Sequence, residues 1–246
     1  MVFLCLVLAL AQQDEVATNQ ALAAFDSAFA KNKDSNARGE EIAKLAKFQH
    51  DRVVGRLGAL LTNEDKAVRL SAAAGLATFT GAAPELKKSA AKAMLNSLTA
   101  GANSREVDVK VTILTAIGTL QEESSGTLLR SHFGDTEVKI AGAAVTAGGA
   151  LKTKTMVEPL IDLLRGCERD AKSGERTPPP TPRKNFNPRN NGGATYDPEQ
   201  QRRERAIALL PVIQAALQNL TGQSSTNGDE WEKWWIKNRG SFVVPK

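Results

Sequence analysis

One short pattern occurs three times in this chain, and it constrains the fold more than any other feature of the sequence. The copies span residues 63–80, 104–120 and 134–151. Each has an acidic turn, a valine, a basic residue and an aliphatic residue, followed by a stretch of small and apolar side chains. A pattern that recurs in this way predicts an array of similar helical units. The central residues superpose as Val68-Arg69-Leu70, Val109-Lys110-Val111 and Val138-Lys139-Ile140.

The helix in each copy carries two apolar stripes on different sides. A helix of this kind needs a neighbouring layer on both sides, so the pattern predicts stacked helices rather than one isolated hairpin. In the first copy one stripe contains Val68, Ala72, Leu76 and Phe79, and the other contains Leu70, Ala73 or Ala74, and Ala77. The second copy has Val109, Ile113, Ile117 and Leu120 on one side and Val111, Leu114 and Gly118 on the other.

An acidic residue stands at or just before each predicted helix start, at Asp65, Asp108 and Asp135. A carboxylate there can accept from free backbone N–H groups and interacts favourably with the positive end of the helix dipole. With the Val and Arg or Lys that follow, these positions resemble the HEAT-repeat family, whose second helix often shows an Asp-x-x-Val-Arg pattern. The resemblance covers roughly residues 37 to 220.

Membership of the HEAT-repeat family would imply an all-α fold, a right-handed α-solenoid of stacked helical hairpins. In that family the Asp and Arg commonly form a ladder between neighbouring repeats. Here Lys110 and Lys139 replace the arginine in two of the three copies, which argues against a bidentate ladder. The family implies little about function, because its members are more often scaffolds than enzymes.

Composition agrees with helices that pack through small residues. Of the 246 residues, 41% are apolar and only 5% are aromatic, which favours a helical array over a β-sandwich. The net charge of +5 allows an anionic partner but is too diffuse to indicate nucleic acid, so we expect no nucleic-acid partner.

The amino terminus resembles an export signal. Residues 2–11 are uncharged and apolar and end in Ala9-Leu10-Ala11, which predicts a signal peptide at 1–11 and a periplasmic or secreted bacterial protein. No Lys or Arg precedes this stretch, so a buried amino-terminal helix is the alternative. The stretch is shorter than the about 20 apolar residues that a membrane-spanning helix needs, so the mature chain should contain no transmembrane segment.

The predicted solenoid spans residues 12–222 and opens with a capping helix at 14–31. It is interrupted at 173–198, a stretch that holds six of the ten prolines and that we predict to be a mobile loop within the last repeat. The loop has a local charge of +2, from four basic residues (Arg176, Arg183, Lys184 and Arg189) and two acidic ones (Glu175 and Asp197). It could bind an acidic partner or be a solvated linker. Its candidate partner-binding residues are Arg183, Lys184, Phe186 and Arg189.

Residues 223–246 are predicted to form a last helix and a tail. Asp229 is the expected N-cap, and Trp231, Trp234 and Trp235 share one helical face. A Leu-Thr-Gly segment followed by Trp-x-x-Trp-Trp resembles the closing segment of many bacterial secreted HEAT-like proteins. The face could cap the last layer of the array, or its rings could be a stacking platform for a partner.

The sequence contains no recognisable catalytic arrangement. His50 and His132 are far apart and have no metal-ligand spacing, and Cys167 has no nearby histidine to activate it. We therefore predict no catalytic residue, metal or cofactor, and a non-catalytic scaffold that binds another protein. The alternative is a HEAT-like enzyme or nucleic-acid binder that resembles the alkylbase DNA glycosylases or bilin lyases of that group.

Overall fold

The computed structural model describes residues 2–173 and 197–245, with side chains from Glu15 onward. Within these ranges the chain forms α-helices, short 3-10 turns and irregular connections, and no strand. The helices are α1 (Val2–Lys31), α2 (Ser35–Leu45), α3 (Asp51–Leu60), α4 (Lys66–Ala77), α5 (Pro84–Leu98), α6 (Val107–Leu120), α7 (Gly126–Ser131), α8 (Val138–Ala150), α9 (Val157–Lys172), α10 (Pro198–Thr221) and α11 (Gly228–Asn238).

The helices form five successive hairpins, α1/α2 to α9/α10, followed by the single helix α11. The second helices of the hairpins make a continuous row, in which α2, α4, α6, α8 and α10 each pack against the next. In the other row α3 packs against α5, and α9 packs against α11. Each layer therefore covers the one before it, and the predicted all-α, solenoid-like array is confirmed.

Both apolar stripes of the repeated helix are used in packing. The first stripe is fully buried, with Val68, Ala72 and Leu76 in α4 and Phe79 in the 3-10 turn that follows it. On the second stripe Ala73 is buried, Leu70 is half-buried and Ala74 is exposed. A single apolar cluster runs through the whole array, from Phe25 in α1 to Trp235 in α11. Side chains from both faces of α4 therefore belong to this cluster or pack against it.

Glycines set the closest approaches between second-row helices. A Cβ on Gly118 of α6 would lie 2.8 Å from the Cα of Ala147 in α8. A Cβ on Gly149 of α8 would lie 2.8 Å from the Cβ of Ala216 and 2.9 Å from its Cα and carbonyl oxygen in α10. These distances are shorter than van der Waals contact, so the helices could not pack this closely with any larger residue at 118 or 149.

Capping explains where several helices begin. Asp65 is the N-cap of α4, and its Oδ1 accepts from the Ala67 N–H at 2.9 Å. Asp135 accepts from the Glu137 N–H in the turn before α8. Asp108 differs from the prediction, because it lies inside the first turn of α6 and Glu106 occupies the N-cap position. Its carboxylate contacts Lys66 of the preceding repeat instead.

Pro211 lies inside α10, which continues past it to Thr221. The start of α11 differs from the sequence-based expectation. The N-cap of α11 is Asn227 rather than Asp229, and its side-chain oxygen accepts from the Glu230 N–H at 2.9 Å. Asp229 lies in the first turn, where its carboxylate faces Arg165.

The first helix is longer than predicted, because the helix expected at 14–31 begins at Val2. Helix α9 ends at Lys172, directly before the first residue of the predicted loop. Among the helices described here, none has a stretch long and apolar enough to cross a membrane.

Candidate functional site

The sequence-predicted partner-binding residues fall into two groups with different outcomes. Arg183, Lys184, Phe186 and Arg189 lie outside the described residues. The three tryptophans are in α11, where Trp231 is 1% exposed, Trp235 is 7% exposed and Trp234 is half-buried. Two of the three rings are therefore buried within the array.

The tryptophan rings pack on one another and on the tail. Trp231 and Trp234 meet edge to face with centroids 5.7 Å apart, and Phe242 meets both Trp234 and Trp235 edge to face. Lys154 places its ammonium 5.9 Å from the Trp235 ring centroid. Such aromatic contacts stabilise beyond simple burial. The arrangement closes the end of the apolar core.

A cleft of about 520 Å³ lies beside this terminal helix, and three of its lining residues, Arg165, Glu168 and Asp229, make contacts within the protein. Arg165 of α9 donates to Glu232 at 2.7 Å and contacts Asp229 at 3.4 Å. Glu168 accepts from the Gly228 backbone N–H at 2.9 Å. These contacts join α9 to α11, so we assign the cleft to the joint rather than to ligand binding.

The helix starts of the second row form an edge with a recurring arginine–carbonyl contact. Arg38 donates to the carbonyl of Asn32 at 2.8 Å, and Arg69 donates to the carbonyl of Asn63 at 2.7 Å. Both pairs belong to the same Asn-x-Asp-x-x-x-Arg spacing, at 32–38 and 63–69. The copy at 32–38 was missed from the sequence, although this spacing could have revealed it.

The fourth hairpin obtains the same contact from a different helix. Lys139 stands where α4 has Arg69, and the guanidinium of Arg205 in α10 donates to the carbonyls of Phe133 at 2.7 Å and Asp135 at 3.0 Å. Arg205, from the next hairpin, therefore makes the contact to turn carbonyls that Arg69 makes within its own hairpin.

Ionic contacts along this edge link neighbouring repeats. Lys66 contacts Asp108 at 2.9 Å and Glu106 at 3.3 Å, and the Ser35 hydroxyl donates to Asp65 at 2.5 Å. The pKa of Asp65 is held below its usual value by the Ser35 hydroxyl and then by the Ala67 N–H. Lys66 lowers the pKa of Asp108 by hydrogen bonding and charge.

Two separate pockets lie between α8 and α10, and we call the pair the α8–α10 groove. The polar end of the pair, about 580 Å³, lies at the helix starts and is lined by residues that include Glu137, Gln201, Arg202, Glu204 and Arg205. The apolar end, about 480 Å³, lies toward the helix ends and is lined by Thr146, Pro211, Val212, Ala215, Ala216 and Asn219.

The groove was not predicted from the sequence. The sequence hints at it only through Pro211, which lies inside α10, and through the small side chains near this proline. Pro198, the first residue of α10, lines the polar end.

The titratable groups of the described residues do not assemble into a reactive centre. His50 is the N-cap of α3, and His132 faces Asp135 at 3.9 Å. Burial raises the pKa of the Cys167 thiol, which disfavours the nucleophilic thiolate. Among the described residues, no group of three His, Cys, Asp or Glu residues could hold a metal ion.

Comparisons with known proteins add little to this description. No family model matches the chain, and no curated protein matches it. Among solved structures, the chain is similar to the crystal structure of an engineered protein from the Northeast Structural Genomics Consortium, at 16% identity over 78% of each chain with a TM-score of 0.33. A likeness at this level carries no argument about function, and membership of the HEAT-repeat family remains an expectation from the sequence.

Proposed function

We propose that this chain is a non-catalytic scaffold for protein–protein interaction, built on HEAT-like helical hairpins and exported to the periplasm or beyond the cell. The partner segment lies along the α8–α10 groove. Export rests on the apolar stretch at residues 2–11 and its Ala-x-Ala ending.

The observation that carries this proposal is that the α8–α10 groove has one polar and one apolar end, next to a close contact between the two helices. Gly149 lets α8 pack directly on the backbone of α10, so the two walls cannot shift independently. A peptide or helix edge could place apolar side chains against Val212 and Ala215 and polar groups against Arg202. Because the walls are preorganised, little conformational entropy would be lost from the scaffold on binding.

The charge of the polar end suits a protein better than a nucleic acid. Arg202 and Arg205 share it with the carboxylates of Glu137 and Glu204, and Arg205 is already bonded to two carbonyls. A surface that contacts phosphates would need unopposed positive charge. Binding of nucleic acid, including a DNA glycosylase-like activity, is therefore the second choice.

Site-specific crosslinking tests the proposal. A photo-crosslinking amino acid replaces Ala215, which is exposed at the apolar end, and captured proteins from envelope and whole-cell extracts are identified by mass. Thr146→Arg fills the groove from the opposite wall. Thr115→Arg is the matched control, because Thr115 is an exposed threonine on the neighbouring helix α6.

One protein captured by the parent and by Thr115→Arg, but not by Thr146→Arg, would support the groove as the binding surface. Equal capture by both variants would place the contact elsewhere. If the chain captures no protein but binds duplex DNA with an affinity that falls steeply with salt, the scaffold proposal fails and the nucleic-acid alternative replaces it.

A further inference from the structure

The start of α11 contains an Asn-Gly pair, Asn227-Gly228, which has no part in the proposed scaffold function. In such a pair the backbone nitrogen of glycine can attack the side-chain carbon of asparagine, because glycine has no side chain to hinder the approach. Ammonia leaves and a cyclic imide forms. Water then opens the imide to aspartate or to isoaspartate, which has an extra backbone methylene.

The docked position of α11 opposes this reaction at the attacking nitrogen. The Gly228 N–H donates to Glu168 of α9 at 2.9 Å, which holds the nitrogen toward α9. Gly228 is buried, and a Cβ there would overlap the Cγ of Arg165 and lie 3.1 Å from a carboxylate oxygen of Glu168. The nitrogen is therefore fixed in a crowded joint between two helices.

The asparagine side chain is held as well. Asn227 Oδ1 accepts from the Glu230 N–H at 2.9 Å, and its Nδ2 donates to the Thr226 hydroxyl at 3.2 Å. Asn227 has ψ 166°, and ring closure requires rotation about this bond to turn the glycine nitrogen toward the side chain. Because α11 follows this bond directly, the rotation would move the whole helix away from α9.

We propose that Asn227 is a deamidation site whose reaction is gated by the docking of α11 on α9. While α11 is docked, the amide nitrogen and the side chain are both held out of reaction geometry. When α11 opens locally, the reaction proceeds at the rate of an unfolded Asn-Gly pair. This inference does not depend on the proposed binding function.

The two products should affect the joint differently. Aspartate can still cap α11, because Asp and Asn are comparable N-caps. Isoaspartate lengthens the backbone between Thr226 and Gly228, so the cap to Glu230 and the bond from Gly228 to Glu168 cannot both form. Isoaspartate at this position would leave α11 undocked and the end of the core uncovered.

The test follows Asn227 in the full-length chain by peptide mass spectrometry, with an isoaspartyl methyltransferase assay, in native buffer and in concentrated urea. Glu168→Ala removes the acceptor for the Gly228 N–H. Glu158→Ala is the matched control, because Glu158 is an exposed glutamate in the first turn of the same helix. Arg165→Gln loosens the joint independently by weakening the contacts to Asp229 and Glu232.

We expect the native parent chain and Glu158→Ala to react about tenfold or more slowly than the urea-unfolded chain. Glu168→Ala and Arg165→Gln should react several-fold faster than the parent in native buffer and equally fast in urea. Equal rates for the parent in native buffer and in urea would overturn the proposal. It would also be overturned if both joint variants, while still folded by circular dichroism, reacted at the parent rate.

Discussion

Replacing Gly149 with alanine tests how closely α8 and α10 approach each other. The new Cβ would lie 2.8 Å from the Cβ of Ala216 and 2.9 Å from its Cα and carbonyl oxygen. Two of these three atoms belong to the backbone, so relief requires the helices to separate rather than one side chain to turn. Overpacking of this kind typically costs ~1–3 kcal/mol, and we place this case at the upper end.

Helix propensity works in the opposite direction. Alanine in place of glycine inside a helix stabilises by ~1 kcal/mol, so we expect Gly149→Ala to lower the free energy of unfolding by about 2 kcal/mol. Gly55→Ala is the matched control, because Gly55 lies inside α3 and no atom lies within 4 Å of its added Cβ. That substitution should raise the free energy of unfolding by about 0.5–1 kcal/mol.

Urea unfolding monitored by circular dichroism measures both variants. Helical arrays can lose cooperativity, so hydrogen exchange of α8 and α10 should accompany it. We expect faster exchange in those two helices for Gly149→Ala and no such change for Gly55→Ala. A Gly149→Ala protein at least as stable as the parent would refute the close approach of α8 and α10.

Two further predictions concern the edge formed by the helix starts. Because the folded-state pKa of Asp65 lies below the ordinary carboxyl value of about 3.9, its charged form stabilises the fold above that pH, and the contribution is lost as the pH falls through the folded-state pKa. Ser35→Ala should raise the Asp65 pKa toward the ordinary value in an NMR titration, and an unchanged pKa would contradict the assigned cause. Arg205→Met leaves two carbonyls of the turn before α8 without their donor and should lower the free energy of unfolding by about 1–3 kcal/mol. Arg202→Met, at an exposed position on the same helix, should change it by no more than ~0.5 kcal/mol, and equal effects of the two variants would argue against the role of Arg205.

The array could be predicted from the sequence because its determinants are local and repeated. The apolar stripes of the repeated helix and the N-cap Asp65 lie within a few residues of one another. Helical periodicity and capping depend only on such short separations. The same reasoning predicts α11 and the shared face of its three tryptophans.

The α8–α10 groove could not be predicted, because it depends on contacts between distant residues. Gly149 meets Ala216, and Arg205 reaches the turn at 133–135, in each case across about 70 residues of sequence. The N-cap of α11 is a smaller example. Asn227 and Asp229 are both good caps, and the fit of Gly228 beside Arg165 in α9 favours a helix that begins at Gly228.

The distance in sequence between each turn and the arginine that contacts it affects the order in which the array folds during synthesis. Arg38 and Arg69 each reach a carbonyl six residues earlier, so those turns can close almost as soon as they leave the ribosome. The turn before α8 must wait for Arg205, which is added 70 residues after Asp135. Closing so long a loop costs more chain entropy and takes more time. The amino-terminal hairpins can therefore mature on the nascent chain, while the fourth hairpin stays incomplete until α10 has emerged.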